Sequence, residues 1–127
     1  MYQFVKALKA ISDDTRLRII NLLLERECCV CEVMQGLEIS QTRASRNLTM
    51  LYDAGFLKLR KEGLWSLYSM DHEGMPKHLV TLVESVKLAL IDNGIAVQDR
   101  ERLKTTTRTG ISCAQNSNGT CSTKLNS

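Results

Sequence analysis

The 127 residues, 43% hydrophobic and 24% charged, suit one small domain and exclude a multidomain enzyme, a large barrel or a wholly disordered chain. No apolar run reaches the roughly 18–20 residues of a membrane span, since Ile19–Leu24 is broken by Asn21, and Met1-Tyr2-Gln3-Phe4-Val5-Lys6 lacks signal-peptide architecture; a soluble cytoplasmic chain with no membrane partner is expected. In a reducing cytosol, five cysteines under a net charge of +3 point to metal binding, catalysis or redox chemistry rather than to a disulfide framework.

In chain order, residues 2–11 read as a short helix with apolar Phe4, Val5, Leu8 and Ile11. Ser12-Asp13-Asp14 ends it and offers capping side chains to the next. From Thr15 to about Glu27, Leu17, Ile20 and Leu24 recur at helical spacing beside Ile19 and Leu23, a broad buried face. A third helix covers roughly Cys31 to Leu37. A fourth starts at Ser40 as N-cap, turns Ala44, Leu48 and Leu51 inward, and stops at Ala54-Gly55. Phe56–Lys61 and Leu64–Met70, joined at Glu62-Gly63, read as a β-hairpin. Residues 75–92 form a last amphipathic helix with Leu79, Leu82, Val83, Val86 and Leu90 on one side. Residues 1–95 are thus the folded domain. Residues 96–127 are set apart as a polar C-terminal tail, rich from Lys104 onward in Thr, Ser, Asn and Gly, which cannot offset ordering entropy by burial.

Three helices, a helix presenting polar residues and a hairpin make a winged helix-turn-helix order: mainly α with a small β-hairpin. Between Ser40 and Lys61 stand five basic residues (Arg43, Arg46, Lys58, Arg60 and Lys61) against the single carboxylate Asp53. Clustered charge of this kind is rewarded by DNA phosphates through counterion release. Gln41 and Thr42 sit where a recognition helix meets base edges; Gln pairs bidentately with adenine and Arg with guanine. A solvated helix face would explain the basic helix, but not a hairpin that is also basic at Arg60 and Lys61.

The other feature is Glu27-Cys28-Cys29-Val30-Cys31-Glu32-Val33. Thiolates capture soft cations and thiophilic metalloids. Cys29 and Cys31, two residues apart at a helix start, have the spacing to chelate one ion.

These segments together resemble the ArsR/SmtB family of bacterial metal-responsive repressors. The resemblance rests on Ser12-Asp13-Asp14-Thr15-Arg16-Leu17-Arg18-Ile19, Cys29-Val30-Cys31-Glu32-Val33, Ser40-Gln41-Thr42-Arg43-Ala44-Ser45-Arg46-Asn47-Leu48, Leu51-Tyr52-Asp53-Ala54-Gly55-Phe56-Leu57 and the wing Arg60–Tyr68. It runs from about residue 4 to 92, and Cys-Val-Cys is similar to the arsenite- and antimonite-sensing branch. It implies a winged-helix homodimer built through residues 2–11 and 75–92, bound to an inverted-repeat double-stranded operator and released when As(III) or Sb(III) binds cysteine thiolates, with no organic cofactor. Ser40, Gln41, Thr42, Arg43, Ser45, Arg46 and Asn47, with Arg60 and Lys61 of the wing, are the implied DNA-facing residues.

Two positions depart from the family pattern. Asp14 stands where Pro is common, and Met34 stands where the arsenic branch often carries a third Cys. A thioether carries no negative charge, so the expected core is Cys29 and Cys31, with Cys28, Cys113 or Cys121 completing it. The alternative is a repressor of the same fold that senses oxidation, reactive sulfur, or Cd or Pb. An enzyme is not expected, because the chain has no Cys-headed phosphate loop and no βαβ pattern.

Overall fold

The structure is a computed structural model, and it describes residues 1–108. Its elements in order are α1 (Tyr2–Ile11), α2 (Asp14–Glu25), β1 (Cys28–Cys29), α3 (Val30–Leu37), α4 (Gln41–Asp53), β2 (Leu57–Glu62), β3 (Trp65–Met70), α5 (Lys77–Leu90) and α6 (Gly94–Leu103). Among the described residues, no helix is long and apolar enough to cross a membrane.

The caps read from sequence form locally. Asp13 accepts from the Arg16 N–H at 3.0 Å and Ser40 from the Arg43 N–H at 3.1 Å, each satisfying a donor that the helix start leaves open. Gly55, at φ +96°, takes the left-handed turn that ends α4 and delivers Phe56 into the core. Leu48 and Leu51 of α4 share one core cluster with Ile19, Ile20 and Leu22 of α2, Leu37 of α3, Phe56 and Leu67, all fully buried. At Gly36 a Cβ would stand 2.8 Å from Leu22 Cδ1, so glycine permits the close approach of α3 to α2.

The small sheet has three strands rather than the two of the expected hairpin. Its order is β1-β3-β2, with Cys28 paired to Tyr68 and Cys29 to Leu67. A two-residue strand has no periodicity for a sequence to show. The first helix also buries differently from its apolar pattern. Ala7 and Ala10 are its buried residues, whereas Phe4, Val5 and Leu8 remain more than a third exposed. Small side chains let α1 lie close on the body and leave its large apolar residues outside.

The boundary expected at residue 95 is not one in the structure. Residues 94–103 form α6, packed across α2 and α3. It lacks an apolar stripe, burying only Ala96, Asp99 and Leu103, and it is held by polar contacts instead. Asp99 is 0% exposed and accepts from Arg18 at 2.7 and 2.9 Å and from Arg102 at 2.5 Å. The same arginines donate to the last carbonyls of α3: Arg18 to Leu37 O at 3.1 Å and Arg102 to Gly36 O at 2.8 Å. Asn21, which interrupts the apolar run of α2, donates to Ala96 O at 3.0 Å and accepts from Arg100 at 2.6 Å. Asp99→Ala removes the centre of this network. It is expected to cost about 3 kcal/mol, the low end for a broken buried pair because both arginines are partly exposed. Urea unfolding should show a lower midpoint at unchanged slope; a loss below about 1 kcal/mol would mean that α6 is not held by Asp99.

Candidate thiol site and nucleic-acid interface

On the outer side of α4, Gln41, Thr42, Ser45, Arg46, Thr49 and Met50 share one open concave surface. Helical spacing places them there, because Ala44, Leu48 and Leu51 take the buried side. Two other expected DNA-facing residues turn toward α2. Asn47 is only 8% exposed, accepts from Arg16 at 2.8 Å and donates to Arg43 O at 2.9 Å. The Arg43 guanidinium donates to Thr15 Oγ1 at 2.8 Å. Both sit at the α2–α4 seam, where an unpaired polar group would be costly, so they join the two helices of the motif.

In the wing, Lys61 donates to Ser66 Oγ at 2.9 Å. Arg60 is held by two carboxylates. It makes a bidentate pair with Glu27 at 2.7 and 2.8 Å and meets Glu62 at 2.8 Å. The Glu27 carboxyl accordingly lies below its ordinary range, first because of the hydrogen bonds from Arg60.

The three clustered cysteines separate. Successive strand residues point to opposite sides, and the two thiols of β1 have different surroundings. Cys28 is fully buried in the core, its sulfur 3.5 Å from Arg26 O. Burial, followed by the charge of Glu32, pushes its pKa up to about 12. Cys29 and Cys31 instead line a common cavity of about 190 Å³, together with Val30, Gln41, Ser45, Trp65, Ser66 and Tyr68. Cys28 does not reach this cavity, although it stands in Cys-x-x-Cys spacing with Cys31. Burial raises the Cys29 pKa too, so both thiols are protonated at neutral pH. Cys28 and Cys29 are free thiols, whereas Cys31 is disulfide-bonded. Cys113 and Cys121 lie outside the described residues. Met34 is buried in the core and does not line the cavity.

Glu32 closes the start of α3. Its carboxylate accepts from the Cys29 N–H at 2.9 Å, from Arg26 at 2.7 Å and from Arg108 at 3.1 Å. Burial opposes its charge, but these donors, the Cys29 N–H and Arg26 foremost, keep its pKa below the usual value. This is a capping box with cysteine in the place of serine or threonine. Its Cys-x-x-Glu spacing is visible in the sequence. Trp65 and Tyr68 were missed as cavity walls. No local pattern marks them, because only the β1–β3 pairing brings them beside Cys29.

With Cys31 reduced, the arrangement would offer two sulfurs to one ion, beside the exposed face of α4. Among the described residues, no three His, Cys, Asp or Glu side chains stand together as a complete metal site. Two reduced cysteine sulfurs are soft donors of the kind that suit a thiophilic ion. His78, on α5, packs its ring edge-on against Phe4 at 5.3 Å.

The chain is similar to known proteins in sequence and in fold. A family model described as bacterial regulatory protein, arsR family, matches residues 13–59. A Staphylococcus aureus homolog of the cadmium resistance transcriptional regulatory protein CadC is 45% identical over 84 residues, 65% of this chain and 66% of that one. An arsenic resistance transcriptional regulator of Pseudomonas putida is 39% identical over 79 residues, 61% of each chain. The chain therefore spans less than two thirds of the length of both relatives. The fold is similar to that of the homodimeric winged helix-turn-helix DNA-binding domain of a possible ArsR-family regulator from Mycobacterium bovis. The TM-score is 0.60 at 25% identity, covering 72% of this chain and 82% of that one. With its helices, wing and matched segment in this order, the chain belongs to the arsR family of bacterial regulatory proteins.

Proposed function

We propose that this chain is a cytoplasmic repressor of an arsenic-resistance operon, not an enzyme, and that it leaves its operator when As(III) or Sb(III) binds Cys29 and Cys31. One observation carries the reading: the cavity that holds both sulfurs is also walled by Gln41 and Ser45, from the exposed face of α4. An ion seated on Cys29 and Cys31 meets the start of the recognition helix. Its differential affinity for the free and DNA-bound shapes then becomes a loss of operator affinity. Cys113 or Cys121 supplies the further sulfur; Cys28, turned into the core, does not.

DNA is gripped by the α4 face of Gln41, Thr42, Ser45 and Arg46, begun by Ser40, and by the wing residues Arg60 and Lys61. Arg43 and Asn47 support that face from behind. A homodimer through α1 and α5 presents two such faces to an inverted repeat, about 34–36 Å apart. The large apolar residues left outside support this pairing: Phe4, Val5 and Leu8 on α1, and Leu88, 75% exposed, on α5.

Two second readings have an observation each. The cadmium resistance name of the Staphylococcus aureus relative favours Cd(II). The disulfide at Cys31 favours an oxidation sensor, since the ion-binding reading needs that sulfur reduced.

Fluorescence anisotropy of the reduced full chain on its upstream DNA tests the assignment. Cys29→Ser and Cys31→Ser should each abolish arsenite-induced release, whereas Cys28→Ser should retain it; normal release in either of the first two sinks the thiol site. If peroxide alone releases DNA and arsenite does not, the oxidation reading replaces it.

Arg46→Ala should weaken binding across sequences and reduce the salt slope by about one phosphate contact. Gln41→Ala should relax base preference by about 1–3 kcal/mol. Unchanged affinity in both variants would remove α4 from the interface.

Proton balance separates the ions. Arsenite is neutral As(OH)₃ near neutral pH, and each hydroxide it loses leaves as water with the proton of the thiol replacing it. Arsenite affinity should therefore stay nearly flat with pH there. Cd(II) must expel the proton of each thiol it binds, and burial holds the one on Cys29 more firmly than usual. Its affinity should rise with pH, about tenfold per unit for each thiol deprotonated, until the raised thiol pKa is passed. Titration in buffers of different ionisation enthalpy counts those protons.

A further inference from the structure

The wing arginine is fastened to the thiol segment in two ways. Cys29 of β1 is paired with Leu67 of β3, and Leu67 is paired in turn with Arg60 of β2, so the three residues form one transverse row of the sheet. Across that row Glu27, two residues before Cys29, holds the Arg60 guanidinium through Nε at 2.7 Å and Nη2 at 2.8 Å. The pair is partly solvated, with Arg60 side-chain exposure at 53% and Glu27 at 26%. Exposed ion pairs add little to stability. A bidentate pair does fix the plane and direction of the guanidinium, which a point charge does not.

We infer that Glu27 is a positioning residue that couples the Cys29–Cys31 cavity to the DNA-binding wing by holding Arg60. This inference rests on the functional reading above. β1 is only two residues long and is the least supported strand of the sheet. Rearrangement of the Cys29–Cys31 segment around an ion moves Glu27 with it. Arg60 then loses its orientation toward the phosphate backbone at the same moment as the α4 face is disturbed. Contact with the ion alone would act on α4; the Glu27–Arg60 pair extends the disturbance to the wing. It also accounts for a carboxylate placed against a basic residue of a DNA-binding surface, where on charge alone it weakens phosphate binding.

The test compares the operator dissociation constant with and without arsenite for the full-length wild type, Glu27→Gln, Arg60→Gln and the double variant. A coupling of about 5–150-fold is ordinary for such a protein. That ratio should fall at least fivefold, or to one, in either single variant, and no further in the double. Removing a negative charge near DNA changes both dissociation constants together and leaves their ratio alone, so the ratio is the readout. Arsenite binding in the absence of DNA, followed by the ultraviolet absorbance of arsenic–thiolate bonds, should be unchanged in Glu27→Gln. The inference is overturned by a wild-type ratio in Glu27→Gln, by losses that add in the double variant, or by loss of arsenite binding itself. A wild type that binds DNA but ignores arsenite overturns the functional reading, and the coupling with it.

Discussion

The backbone pairing of Cys28 with Tyr68 and Cys29 with Leu67 fastens the thiol segment to the wing. Both thiols of β1 are buried against β3, but only Cys29 lines a cavity with Cys31; Cys28 is enclosed in the core. The same pairing makes the thiol segment a third strand of the wing, so Cys28 and Cys29 share one sheet with Arg60 and Lys61. It also brings Trp65 and Tyr68 against the cavity, although more than thirty residues of chain separate them from Cys29.

Two buried carboxylates hold α3 at its opposite ends. Glu32 completes the first turn by accepting from Cys29 N–H, Arg26 and Arg108. Asp99 holds Arg18 and Arg102 where they can reach the last carbonyls. A helix of eight residues has little stability of its own. Its shape is therefore imposed by charges from α2, α6 and the chain that follows α6. Burying such charges is worthwhile only when nearly all their hydrogen-bonding capacity is used, and here each carboxylate has at least three donors. The helix that carries Cys31 is consequently held at both ends.

The face offered to DNA is narrower than helix periodicity alone implies. A helix in a two-helix motif has three environments: the core, the solvent and the seam with its neighbour. Arg43 and Asn47 belong to the seam, tied to Thr15 and Arg16 of α2. Their contribution is to set the angle of α4. Gln41, Thr42, Ser45 and Arg46 are left to face outward at that angle. Arg60 shows a related effect in the wing, where a cation that reads as free charge is shared between two carboxylates.

Local patterns made most of the architecture legible. The apolar spacing of α2, α4 and α5, the caps Asp13 and Ser40, the stop at Gly55 and the turn at Glu62-Gly63 each act within a few residues, so they appear in the sequence as they do in the fold. Cys29 and Cys31 were legible as a pair for the same reason. Contacts between distant residues were not. The sequence contains Glu27 and Arg60 but not their meeting, and Asp99 reads as one more charge in a polar tail until Arg18, from the other end of the chain, is brought to it. β1 is too short to show a period, and α6 carries no apolar stripe. By itself the sequence determined helices α1 to α5 and the wing, and showed three cysteines clustered before α4. Only the tertiary structure decided which thiols share a cavity, which polar residues face outward and that residues 94–108 join the body, because those outcomes depend on pairing across the chain rather than on spacing along it.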